Sequence, residues 1–376
     1  MAKLNRRLLL AGAIVAVGAG CSDDANRKQN RSGQELQDLL DEARAGKRTV
    51  VLHPGEIVSV DKPLDLRGVA LEGRGSTIRV LPTFSGPAVL RVEGAVTVSG
   101  VSIVGSAAMG TKVSGIVARA ARIGLFLRLN SVRVSSLKGD AVRVLGNRRG
   151  GQPGSLVIRD MTIEGGDRGL VVLNAGSVRL KRVTVSECQR SGLHFSSCQD
   201  ARVATVTSIG NGLDPVREGD GLVATYCKGL KITDSSFTEN TRRGISLGGG
   251  DPRMQPNRDW LISGCTADDN GDHGITLDPT IRDQEGIPVA SPGRLVGCSV
   301  RRNGHNGINI TCAADVQIRD NNVKDNASHG ISVASARVTV EGNTIGGNAG
   351  RAVAVHGTSS TRPRYTDVVV RGNRVG

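Results

Sequence analysis

A recurrent glycine in this sequence has a polar residue before it at most occurrences: Arg168, Ser191, Asp220, Arg243, His273, Asn306 and His329, with Arg351 before a degenerate copy. An arginine fork holds a carboxylate through two parallel hydrogen bonds, and an imidazole exchanges a proton near neutral pH. Arg243 with His273 or His329 therefore offers what is needed to remove a proton beside a carboxylate: a cation to neutralise developing charge and a base within reach. His273 stands in Asp268–Thr280, DDNGDHGITLDPT, where Asp272 adjoins and tunes it. Arg168, His194, Asp220, Asp278, Asn306 and Asn309 fall in or beside the same stripe and read as ligand contacts. Trp260, the one tryptophan, ends a long loop and reads either as a ring-stacking platform or, from its alignment with Leu230, as an inward packing residue. The same stretch also reads as an ordinary repeat turn, because Asp and Asn side chains cap turns.

The elements that would position these groups are read from the glycine itself. It recurs at Gly169, Gly192, Gly221, Gly244, Gly274, Gly307 and Gly330, each time followed by Leu or Ile, at intervals of 23, 29, 23, 30, 33 and 23 residues. A period near 23 that is lengthened at three places marks a solenoid with loop insertions. Each period holds about three short alternating strands. In GLKITDSSFTENTRRGISLGGG, Leu230, Ile232, Phe237, Ile245 and Leu247 face one way while Lys231, Thr233 and Ser246 face the other. Coiling such strands so that like residues stack about 4.8 Å apart predicts a single all-β domain over residues 33–376, a parallel β-helix of about twelve rungs. Ser235, Cys265, Cys298, Asn321 and Asn343 fall in one column, where Asn amides could bond to one another. Ser32 to Glu35 forms a capping box that opens a short capping helix ending at Gly46. The insertions at 210–220, 248–259 and 278–293 lie on nearly consecutive rungs and would wall a groove along the polar stripe.

Composition agrees: 51 glycines and 2% aromatics suit many short strands and tight turns and poorly suit a helical bundle. A net charge of +14 favours an anionic partner. Four Phe, two Tyr and one Trp give no stacking set for nucleic acid, which is not expected as a partner; the oligomeric state is not legible. The start, MAKLNRRLLLAGAIVAVGAGCSDD, joins a basic segment to an apolar run too short to span a bilayer, which predicts a signal peptide over 1–21 and an exported chain. Arg6-Arg7 resembles a twin-arginine signal, and Gly18 to Cys21 resembles the lipobox of bacterial lipoproteins; that likeness implies acylation at Cys21 and a periplasmic or outer-membrane location, with secretion the alternative. Residues 22–32 read as a polar tether. The remaining cysteines, Cys188, Cys198, Cys227, Cys265, Cys298 and Cys312, show no metal-ligand spacing and read as stacked core residues, with disulfides between rungs the alternative. No cofactor is expected; Asp214, Asp251 and Asp278 on the loops are the only hint of calcium.

The rhythm of NASHGISV and NGHNGINI, with the opening LLDEARAGKRTVVLHPGEIVSVDKPLDLRGVALEGRG, resembles the right-handed parallel β-helix repeat of the pectate-lyase-like superfamily over roughly residues 33–376. The resemblance implies an anionic polysaccharide as partner, and C5 proton abstraction from a uronate by a lyase or an epimerase as the leading chemistry. Mannuronan C5-epimerases are similar in carrying His-Gly-Ile rungs; here Asp272-His273-Gly274-Ile275 and a separate Asp278-Pro279 match, without their Asp-Pro-His-Asp motif. Two alternatives stand beside this: a non-catalytic polysaccharide-binding or envelope scaffold, and a hydrolase of polygalacturonase type. For the latter, Asp268-Asp269 and Gly304-His305-Asn306-Gly307 resemble the acidic pair and the Gly-His-Gly rung.

Overall fold

The computed structural model describes residues 30–106, 108, 110, 112–120, 125–146, 154–249, 251, 253–279, 290–356 and 367–376. The leader, Cys21 and most of the tether lie outside the described residues. Alternating apolar residues turn every coil's inner face into core: Leu230, Ile232, Phe237, Ile245 and Leu247 are at most 2% exposed, while Lys231 is exposed. The strands stack in parallel register into a 17-stranded sheet one, a 12-stranded sheet two and a small 4-stranded sheet three. This is a nearly all-β parallel solenoid of about twelve turns, as the period predicts.

Sheet two carries the Gly-Leu/Ile strands. In it Val171, His194, Val223, Ser246, Thr276, Asn309, Ser332 and Ala354 pair consecutively and form one straight outward column. Before each strand the glycine is needed for space: a Cβ on Gly274 would lie 2.4 Å from a Val300 methyl and 2.8 Å from the Gly307 carbonyl. Between the short strand and sheet two runs a ladder of buried amides. Nδ2 of Asn211, Asn240, Asn270, Asn303 and Asn326 donates to Oδ1 of Asn240, Asn270, Asn303, Asn326 and Asn348 at 2.8–3.0 Å. A second ladder joins Asn321, Asn343 and Asn373 at 2.9 Å. Each amide oxygen also accepts a backbone N–H from the preceding rung, so polar groups that the tight turns bury are satisfied.

One end is closed by helix α1, Gly33–Gly46, whose capping box is formed by Ser32 and Glu35; Lys47, in the left-handed conformation, caps its far end. Leu36 and Leu40 bury fully against the first coil. Residues 30–32, expected in the tether, instead form a strand paired with Ile57–Ser59, held by the Arg31–Glu56 ion pair at 2.9 Å. Among the described residues no helix is long and apolar enough to cross a membrane. The six core cysteines are buried free thiols.

Candidate functional site

The outer side of sheet two gathers the polar stripe. At its N-terminal edge the 210–220 loop folds over the turn at Cys188–Gln189, through backbone bonds from Gly212 and Asp214 to the Cys188 and Gln189 carbonyls. This carries Glu218 between Arg168 and Arg190, whose guanidinium groups donate to it at 3.1 and 2.8 Å. His194 lies behind them. Burial and the adjacent Arg168 and Arg190 charges, against an opposing Glu218, push its imidazole down to about 4, and its Nδ1 has no hydrogen-bond partner. Arg190 and Glu218 were not singled out in the sequence; the lengthened interval at 192–221 was the signal that pointed to this loop.

Further along stand Arg243, Asp272, His273 and His305. Arg243 Nε and His273 Nε2 each lie 3.5 Å from an oxygen of the Asp272 carboxylate, and His305 meets the His273 ring edge-on with centroids 4.9 Å apart. Arg243 also donates to Ser246 in the middle column at 3.4 Å. Ser246 and Thr276 point outward yet are only 5% and 1% exposed, and Thr276 Oγ1 is unpartnered.

The stripe also has a structural task. Oδ1 of Asp220 accepts the Arg243 backbone N–H at 3.0 Å. Nδ1 of His273 accepts that of Asn306 at 3.1 Å, Oδ1 of Asn306 that of His329 at 3.0 Å, and Nδ1 of His329 that of Arg351 at 2.9 Å. Each of these side chains caps the next rung. For both histidines this fixes the neutral tautomer with hydrogen on Nε2, and burial lowers the pKa of each. In this geometry neither histidine is a free proton acceptor. Burial raises the Asp220 carboxyl against the pull of Arg243. His329 lies a rung beyond Asn306 with His356, 5.8 Å between ring centroids, and His356 meets Ser332 Oγ at 3.1 Å. Asn306 bonds to Asn309 at 3.2 Å.

Three sequence expectations change here. Trp260 is 2% exposed and its indole N–H donates to the Ser291 carbonyl at 3.0 Å, so it packs in the core and offers no platform. Asp268 and Asp269 do not form a hydrolytic pair: Asp268 caps the Arg301 N–H at 2.9 Å, and Asp269 makes a two-bond pair with Arg302 at 2.7 Å. Asp214 and Asp251 are taken by Arg217 and Arg253 of their own loops, at 3.2 and 2.9 Å, while Asp278 ends a sheet-two strand beside Gly248. Among the described residues, Asp272, His273 and His305 could bring three ligand atoms within 4.8 Å of one another. The proton on His273 Nε2 leaves that nitrogen no lone pair for a metal, so the set fits a hydrogen-bond cluster better than an ion. Upstream on the same face a cleft of about 370 Å³ is lined by Asp65, Arg91, Glu93, Arg119 and Arg143.

Fold and polar face together define a right-handed parallel β-helix protein. The family model for the right-handed beta helix region matches residues 90–259 and 287–375, and the chain belongs to that family. No curated relative matches the sequence. Among solved structures it is similar to the A-module of Azotobacter vinelandii mannuronan C-5 epimerase AlgE4, at 17% identity and TM-score 0.57, covering 91% of this chain and 92% of that one. A double mutant of the periplasmic alginate epimerase AlgG aligns at 12% identity and TM-score 0.62, covering 92% and 84%. The catalytic domain of a GH87 alpha-1,3-glucanase in complex with nigerose aligns at 9% and 0.53, covering 95% and 70%. At these identities the likeness is one of fold.

Proposed function

We propose that the chain binds an anionic polysaccharide along the outer face of sheet two and removes the C5 proton of a uronate, as a lyase or an epimerase. The observation that carries this is the meeting of Arg243, Asp272, His273 and His305 on one half-buried patch. Asp272 sits between a guanidinium and an imidazole N–H, where a substrate carboxylate would find the same two donors. Arg243 would neutralise the uronate carboxylate as charge develops, and His273, held neutral, would donate its Nε2 hydrogen to that group. His305 is exposed and adjoins His273, so it is the imidazole able to take the proton. Arg168, Arg190 and Glu218 would order the neighbouring sugar. The similarity of fold to alginate epimerases supports this reading, and the leader supports an exported, lipid-anchored protein. Turnover of alginate, pectate and glucuronan by protein carrying Arg243→Ala or His305→Ala tests it: each should fall about 100-fold, whereas unchanged turnover in both removes the patch from the chemistry. A second reading, binding without catalysis, is favoured by the capping bonds that occupy Nδ1 of His273 and His329; it predicts polymer binding with no chemical change.

A further inference from the structure

Sheet one has an outer face of its own. Two outward columns cross it. In one, Arg128, Val157, Arg179, Arg202 and Lys231 pair in consecutive strands. In the other, Asn130, Arg159, Lys181, Ala204 and Thr233 do so. Over these rungs the columns hold six cations and no carboxylate. Among the described residues none of the six is in an ion pair with an acid; Arg179 donates to the carbonyls of Val178 and Asp200, which fixes its guanidinium without neutralising it. The nearest acid at the strand bend, Asp160, is taken by Arg182 at 2.5 and 2.9 Å. The face is concave because short residues alternate with long ones: Val157 lies between Arg128 and Arg179, and Ala204 follows Lys181. The result is a cleft of about 490 Å³ lined by Arg128, Arg159, Arg179, Lys181 and Arg202.

We infer that this cleft is a second binding surface, separate from the sheet-two patch, for an anionic polysaccharide chain laid along the solenoid axis. Unpaired like charges at neighbouring rungs repel one another, so the arrangement is relieved when anions neutralise it. Rungs about 4.8 Å apart present a cation at every step over about 20 Å, which suits a linear polymer bearing one charge per sugar. The concavity and the apolar Val157 floor fit a sugar chain better than a flat lipid surface. A chain held here would tether the protein to its polymer while sheet two acts on another segment.

The test is electrophoresis of the full chain through gels containing polygalacturonate or alginate, with Arg179→Ala/Lys181→Ala/Arg202→Ala compared against the charge-matched Arg48→Ala/Arg371→Ala/Arg374→Ala. The first triple variant should lose about 100-fold in apparent affinity and the second far less, with anionic phosphatidylglycerol vesicles failing to displace the polymer. Equal losses in the two variants would reduce the effect to net charge, displacement by vesicles would make the face a membrane surface, and absence of retardation of the native chain would remove the site; each overturns the inference. Its failure is distinguishable from failure of the sheet-two reading, because C5 exchange on a short uronate oligomer should survive in the sheet-one triple variant and be lost in Arg243→Ala.

Discussion

At position 273 an imidazole performs the task that an asparagine performs one rung later, accepting the backbone N–H of the following turn. A capping role and a chemical role can therefore be separated. His273→Asn should keep the cap and the melting temperature while lowering turnover at least tenfold, because the Nε2 donor is gone. His273→Ala leaves the Asn306 N–H unpaired and should cost about 1–3 kcal/mol, read by denaturant unfolding. His194 makes a pH prediction. Its value in the unfolded chain is near 6.5, against about 4 when folded, so the unfolded state binds the extra proton between these limits. Stability from the neutral imidazole is complete above pH 6.5 and is lost as pH falls toward 4, by up to about 3 kcal/mol. His194→Gln should flatten that part of the profile, seen as a smaller drop in Tm on acidification. The stripe of Arg243, His273 and His329 was legible because the glycine fixes its phase. What spacing does not carry is where a lone pair points, so the committed Nδ1 atoms were invisible. Glu218 was equally hidden, since its partners are Arg168 and Arg190, 50 and 28 positions away.

At the scale of the element, the turn is held by amides that donate and accept at once and so link one rung to the next. Asn270→Leu removes both amide–amide bonds in mid-ladder and takes the acceptor from the buried Asn240 backbone N–H; it should destabilise by about 2–4 kcal/mol, whereas Asn348, nearer the end, should cost less. Gly274→Ala should cost about 1–3 kcal/mol by overpacking against Val300. The thiols belong to the same inner columns. All six are at most 3% exposed, so in a Cys21→Ser chain none of them should react with a disulfide reagent until denaturant is added. Strand alternation and the rung period were readable in full, because a period of 2 inside a period near 23 admits few other folds. The inward position of Trp260 was readable from its alignment with Leu230, but its Ser291 partner comes from an insertion whose path the repeat does not encode.

For the whole molecule, charge and architecture act together. The +14 charge is unevenly used: on sheet two Arg168, Arg190 and Arg243 are matched to Glu218 and Asp272, whereas the sheet-one cations over the cleft face solvent unpaired. Polymer binding should thus weaken steeply with added salt, and the salt slope should flatten more in the sheet-one triple variant than in Arg243→Ala. The family resemblance named the class correctly because stacking rungs impose a sequence period, while the chemistry rests on a few side chains that the period does not constrain. Proton removal at C5 can be read by incubating the protein in D2O with alginate, pectate and glucuronan and following C5 deuterium by NMR. Deuterium at C5, with chain cleavage for a lyase or without it for an epimerase, is the predicted result. No exchange on any of the three, with polymer binding intact, would contradict it and leave a β-helix that holds its polysaccharide without altering it.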